Sequence, residues 1–210
     1  MKLLTISGLD GSGKSTQIEM LRSELERQGS KVFYFHSIEF SLANQISKLF
    51  KKTPTGPESS ARDSDENNDI QKSVTHATRF QIWLRKIFLR IDIWRFSLLR
   101  SKLRNNGYDY ILSDRYFYDS IVNIEFLSAA NGHPMSKCNW TSGVHLPDTA
   151  IYLQTSPEII MSRDRVPDQG LEYLQKKKEL YDAKTAIWNW TVINGNQEKN
   201  IIFEELKKFL

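Results

Sequence analysis

Gly8-Leu-Asp-Gly-Ser-Gly13-Lys14-Ser15 satisfies the spacing G-x-x-x-x-G-K-[ST] at every fixed position. Residues of these types at this spacing are suited to cradling phosphate. Small side chains let successive backbone N–H groups turn inward around phosphate oxygens, and a helix beginning at the lysine adds its positive end. Lys14 would reach the outer phosphates of ATP, and the Ser15 hydroxyl would ligate Mg2+. Gly8, Gly11, Ser12, Gly13, Lys14, Ser15 and Thr16 are therefore expected to line an ATP-phosphate site. Asp10 is the odd member. A carboxylate inside an anion site is repelled by phosphate, so it is expected to face a second ligand.

A second chemical signal is the apolar run Tyr110-Ile-Leu-Ser113, which leads into Asp114-Arg115-Tyr116. An acid at the end of a buried strand beside such a loop is placed to hold Mg2+, directly or through water. Arg115 offers a planar fork for a phosphate. The plainer alternative is an Asp–Arg pair that caps the strand. The Asn-Lys-x-Asp element with which GTPases read their base does not occur, nor does the signature of transporter ATPases. His36, His76, His133 and His145 show no metal-ligand spacing, and with one cysteine, Cys138, a zinc site and an intrachain disulfide are not expected.

The elements that must position these residues alternate short apolar runs with longer helical patterns, as in a parallel α/β sheet. Strands are expected near Leu3–Ser7, Lys31–Phe35, Tyr110–Ser113, Thr149–Leu153 and Thr191–Ile193. Helices are expected over Lys14–Gln28, Phe40–Phe50, Phe117–Ala130, Pro157–Arg163, Leu171–Trp188 and Glu198–Phe209, with Gly29 as the cap after the first. The stretch 53–69 is rich in proline, acids and small polar residues and reads as a flexible loop. A long helical region, continuous or broken once, is then expected over Ser73–Arg104. Phe80, Trp83, Ile87, Ile91, Trp94 and Leu98 recur there at spacings of three and four, a stripe expected to cover the sheet, while the other faces carry basic residues and the lone acid Asp92.

The 210 residues suit one domain, and 40% hydrophobic with 26% charged residues is ordinary for a globular protein. A net charge of +4 fits anionic metabolites and is too mild to indicate nucleic acid. No apolar run approaches the roughly 18 residues of a membrane span, and no targeting segment is recognised, so a cytoplasmic protein is the default expectation. The Asn-Trp-Thr triplets at Asn139 and Asn189 are read as chance matches to a glycosylation pattern.

GLDGSGKST, a strand ending in DRY, and LPDTAIYL together resemble the thymidylate kinase family of nucleoside monophosphate kinases. The likeness continues through Arg163, Arg165, Glu172 and a helix reaching Tyr181, and spans nearly the whole chain in element order. It implies a three-layer P-loop NTPase fold, α/β with a five-stranded parallel sheet flanked by helices, and a short lid at about 163–170. The activity it implies is transfer of the γ-phosphoryl group of ATP to dTMP with Mg2+ held by Ser15 and Asp114. Lys14, Asp114, Arg163 and Arg165 would be catalytic. Asp10 would hydrogen-bond the sugar hydroxyl of the acceptor, and Arg115, with Tyr116 beside it, would grip its phosphate. Trp94 and Arg95 are the candidates for contacting the acceptor base.

The sequence also departs from the family. Phe35-His-Ser-Ile-Glu-Phe40 stands where a Pro-Gly or Phe-Pro element is usual, Ile93 falls near the place of the base-reading arginine, and the usual Asp-Arg before the lid glutamate is missing. A kinase for another small acceptor therefore remains open, as does an ATP-binding interaction module. The family's habit of pairing through helices allows a homodimer.

Overall fold

The computed structural model describes residues 1–45, 78–132, 143–163 and 167–210. The five expected strands are present, each within one residue of its expected bounds: β1 (Lys2–Ser7), β2 (Val32–His36), β3 (Tyr110–Asp114), β4 (Thr149–Gln154) and β5 (Thr191–Asn194). They form one all-parallel sheet in the order β2-β3-β1-β4-β5. The chain winds outward in both directions from β1, and ligands of such sheets bind outside the strand carboxyl ends where the order reverses. Ser7 and Asp114 end the neighbouring strands β1 and β3 at that place.

Successive strand residues point to opposite faces, so each strand feeds two cores. Leu4 and Ile6 of β1 meet Ile18, Leu21 and Leu25 of α1 (Lys14–Arg27) and Ile202 and Leu206 of α7 (Lys199–Lys207). Leu3 and Ile111 face the other way, into a cluster with α3 (Arg79–Asn105), α4 (Phe117–Ala130) and α6 (Gly170–Lys184). Each fully buried leucine or isoleucine contributes about 1.5–3 kcal/mol. The three layers are thus helices, sheet, helices, as the family resemblance implies. Two short helices, α2 (Ser37–Phe40) and α5 (Pro157–Met161), follow β2 and β4.

The segment expected as one helix over Phe40–Phe50 is interrupted: α2 ends at Phe40, Ser41 is extended, and a helical turn occupies 42–45. Its remainder, and the expected loop at 53–69, lie outside the described residues.

The largest correction concerns α3. It is unbroken from Arg79, where Thr78 and Gln81 form a capping box, to Asn105. The residues it buries are Ile82, Leu89, Ile93, Phe96 and Leu103, not the expected stripe. Phe80, Trp83, Trp94 and Leu98 are 67%, 55%, 63% and 54% exposed. The helix carries two apolar faces, and periodicity alone cannot choose between them. Two inward groups make the choice. Phe96 inserts between Phe35 and Phe117, with ring centroids 4.7 and 5.5 Å away. Asp92, 3% exposed, accepts from the Leu42 N–H at 3.2 Å and from Arg95 Nη1 at 2.8 Å. Arg95 in turn donates to the Phe40 carbonyl at 3.1 Å and lies over the Phe40 ring. The lone acid of the helix is therefore the lock that joins it to the chain after β2.

Replacing Asp92 with alanine leaves the Leu42 N–H without its acceptor and Arg95 with only the Phe40 carbonyl. Asp92→Ala should lower stability by about 1–3 kcal/mol, the cost of orphaned donors, read as a reduced urea midpoint with unchanged slope.

Candidate active site

The loop after β1 works only with glycine at particular points. Gly8 has φ 148°, and a Cβ there would stand 2.7 Å from the Leu153 carbonyl oxygen. A Cβ on Gly11 would meet Ile160 Cγ2 at 2.8 Å. Gly13, at φ 100°, caps α1. The loop therefore lies tightly against the ends of β4 and α5, and its backbone turns directly into the start of α1. Ser15 and Thr16 are exposed there, while Ser12 is buried.

Lys14 is 4% exposed and donates to its own loop, to the Leu9 carbonyl at 2.5 Å and Ser12 Oγ at 3.1 Å. Burial pulls its ammonium down to about 8, with Arg115 adding to the effect. One residue on, Ser15 Oγ donates to Asp114 Oδ2 at 2.5 Å, and the Tyr34 hydroxyl lies 3.4 Å from the same oxygen. A hydroxyl and a carboxylate within bonding distance suit Mg2+, which takes few protein ligands and completes its shell with water and phosphate oxygens. No group of three or more His, Cys, Asp or Glu suited to a metal is found among the described residues.

Asp10 points elsewhere. Arg115 has a left-handed backbone, φ 62°, held by its N–H donating to the Ile6 carbonyl at 3.1 Å and by Ser113 Oγ donating to its carbonyl at 2.6 Å. A non-glycine residue in this conformation is strained, and such strain concentrates at functional sites. Here the turn accompanies a guanidinium that donates from Nη2 to Asp10 Oδ1. Lys177 of α6 approaches the other oxygen, Oδ2, at 3.7 Å. Burial pushes the Asp10 carboxyl up, but Arg115, Lys177 and Lys14 together outweigh it and hold it well below the usual carboxylate range. The acid in the glycine-rich loop is thus neutralised by Arg115, Lys177 and Lys14.

A third carboxylate, Asp119, ties the pieces together. It accepts from Ser7 Oγ at 2.7 Å, the Gly8 N–H at 3.4 Å, the Tyr116 N–H at 2.8 Å and the Tyr181 hydroxyl at 2.7 Å. Sequence reasoning missed Asp119 and Lys177. Asp119 was detectable as the third residue of a helix beginning at Phe117. Lys177 was hidden in Lys176-Lys177-Lys178, although it shares a helix face with Tyr173, Leu174 and Tyr181, all buried.

The other expected site residues divide. Arg163 lies on the loop, with Nη1 donating to the Gly11 carbonyl at 2.5 Å and Nη2 to the Gly195 carbonyl at 3.3 Å. Arg165 lies outside the described residues. Tyr116 is turned into the core, 0% exposed, its hydroxyl donating to the His145 carbonyl at 2.8 Å. It is a packing residue of the Phe96–Phe117–Tyr118 cluster, not an acceptor contact. Trp94 is 63% exposed, off the face of α3 that buries Ile93 and Phe96. The Arg95 guanidinium is taken up by Asp92 and the Phe40 carbonyl. Near the expected place of the base-reading arginine, Ile93 is buried in the apolar core.

A glycine-rich loop turning into a helix at a buried lysine, beside a cluster of a carboxylate, an arginine and a lysine, suits the plan of a P-loop kinase that brings two substrates together. Comparison with known proteins makes this specific. The family model for thymidylate kinase matches residues 6–206. A thymidylate kinase of Dictyostelium discoideum is 27% identical over 97% of this chain and 82% of its own length. One from Prochlorococcus marinus (strain AS9601) is 26% identical over 100% and 95%. The solved thymidylate kinase of Candida albicans superposes with a TM-score of 0.62 at 20% identity, covering 99% of this chain and 89% of that one, a likeness of fold. The chain belongs to the thymidylate kinase family and is a nucleoside monophosphate kinase, carrying out ATP-dependent phosphorylation of dTMP to dTDP.

Asp119→Ala removes the acceptor of four donors from three segments. It should cost about 2–4 kcal/mol of stability and weaken ATP binding as Gly8 loses its anchor, whereas Tyr181→Phe should cost about 1 kcal/mol. Chemical unfolding and ATP titration of the two variants check this.

Proposed function

We propose that this chain performs the transfer with Lys14, Ser15 and Asp114 on the donor side and Asp10 and Arg115 on the acceptor side. The observation that carries the reading is the pairing of the loop carboxylate with the arginine that follows Asp114. Arg115 is already turned toward the loop, so an acceptor phosphate can take over one edge of its guanidinium. Asp10 then accepts a hydrogen bond from the sugar hydroxyl, and the acceptor phosphate is held facing the donor. Lys14 moves its ammonium from the Leu9 carbonyl to the donor phosphates. Arg163, which already reaches the loop, would offset charge on the transferring group, and Arg165 is given the same role by family resemblance. Little covalent chemistry falls to such a protein, so positioning and charge carry the rate. Mg2+, held by Ser15 and Asp114, would neutralise charge on the phosphate oxygens when bound.

Several finer points belong to the same reading. With Ile93 in the core, base recognition rests on shape and backbone contacts more than on an arginine fork, so discrimination among pyrimidine deoxynucleotides should be weak. Bulk charge gives no reason to add nucleic acid as a partner. The described residues contain no helix long and apolar enough to cross a membrane, and a cytoplasmic location accords with the need for ATP. The outward stripe of α3, with Trp83, Trp94 and Leu98 exposed, suits burial against the same stripe of a second copy, since large exposed apolar patches mark interaction sites.

Two experiments test these points. ADP formation with Mg-ATP should depend on dTMP and fall on the order of 10³-fold in Lys14→Ala and Arg115→Ala. Acceptor-independent ADP release as fast as the reaction with dTMP would overturn the assignment of the acceptor side. Sedimentation should give a dimer that Trp94→Glu converts to monomer with turnover retained, and a monomeric parent protein would sink the pairing.

A further inference from the structure

Lys177 is a buried ammonium that the transfer, as described, does not use. It is 3% exposed and stands on the α6 face that also buries Tyr173, Leu174 and Tyr181. Burial lowers its pKa, so holding it charged is costly unless a partner repays the lost hydration. Its partner is Asp10, at 3.7 Å, and its ammonium also lies 5.0 Å from the Tyr173 ring. Asp119, the other carboxylate nearby, already accepts from four donors.

Side-chain exposure orders the three members of the cluster. Asp10 is 29% exposed, Arg115 14% and Lys177 4%. The carboxylate borders the cleft, and the lysine stands behind it, out of reach of a ligand. The two cations hold different oxygens, Arg115 on Oδ1 and Lys177 on Oδ2.

This arrangement answers a competition that the acceptor creates. Its phosphate and Asp10 both need Arg115. As the guanidinium turns to the phosphate, Asp10 loses its strongest partner in a site partly closed to water, and its charge and aim are then unsupported. We propose that Lys177 is a positioning residue of the acceptor site: it is the counter-ion that keeps Asp10 ionised and oriented toward the sugar hydroxyl while Arg115 is engaged by the acceptor phosphate. The inference rests on the acceptor-side roles given above to Asp10 and Arg115. A 2′-deoxynucleoside 5′-monophosphate has only one free sugar hydroxyl, at the 3′ position, so the effect of Lys177 must run through that group.

The test is a substrate-by-variant cycle on the full chain. KM and kcat are measured for ATP, dTMP and 3′-deoxy-dTMP with the parent protein, Lys177→Met and Lys177→Arg. Methionine keeps the length and apolar stem and removes the charge. Lys177→Met should raise KM for dTMP roughly tenfold and leave KM for ATP within about twofold. On 3′-deoxy-dTMP the same variant should behave like the parent, because the hydroxyl that Asp10 serves is gone. Lys177→Arg should restore most of the loss. An equal penalty on both acceptors, or parallel rises in KM for ATP and dTMP, would mean that Lys177 merely supports the fold, and the proposal falls. If Lys177→Met does not fold, Lys177→Gln takes its place in the cycle under the same criteria. If the parent protein prefers another deoxynucleoside monophosphate, dTMP specificity fails, while the Lys177 cycle is read on that nucleotide and its 3′-deoxy form. If the parent binds dTMP and 3′-deoxy-dTMP equally, the role of Asp10 fails first and the Lys177 proposal with it.

Discussion

A single buried carboxylate holds the site in register. Asp119 accepts hydrogen bonds from the end of β1, the first glycine of the phosphate loop, the turn after β3 and the far end of α6. These groups come from parts of the chain separated by more than 100 residues. An acceptor-only group with four donors tolerates little displacement of any of them, because a donor that moves away is left buried and unpaired. The tight seat of Gly8 against Leu153, and the direction in which Asp10 leaves the loop, both follow from where Asp119 fixes Ser7 and Gly8.

Around that anchor the site separates charges that would otherwise quench one another. Lys14 and Asp10 are close in sequence and both lie near Arg115, yet the turn of the loop gives them different partners. The left-handed backbone of Arg115 is what makes this possible: Asp114 faces Ser15, and the next residue reaches Asp10. Two adjacent residues at the end of one strand thus take partners at different points of the loop.

Much of this was legible in the sequence, for a definable reason. Strands buried on both faces read as continuous apolar runs, so β1 and β3 could be placed closely, and the glycine spacing after β1 marked the loop that turns directly into α1. The face of α3 was misread because a helix with two apolar faces gives periodicity no preference. What decided it was a polar residue, Asp92, whose partners near Phe40 are about 50 positions away in the chain. Tyr116 was misplaced because a motif gives residue types but not the direction of a side chain after a strained turn. Lys177 was invisible because lysines on a helix are ordinarily solvated, and only the packing of α6 onto the site buries this one.

The central position of β1 has a consequence for how the molecule comes into being. Its hydrogen-bonding neighbours are Tyr110–Asp114 on one side and Thr149–Tyr152 on the other. The strand that founds the nucleotide site is therefore made first and must wait for both of its neighbours. At the roughly 5–20 residues per second of synthesis, the first neighbour takes roughly 5–20 s to follow. During that interval an apolar strand with two open edges is without its sheet, the kind of segment that seeks foreign strands. Nascent chains of this protein should need shelter around β1, well before there is a site to protect.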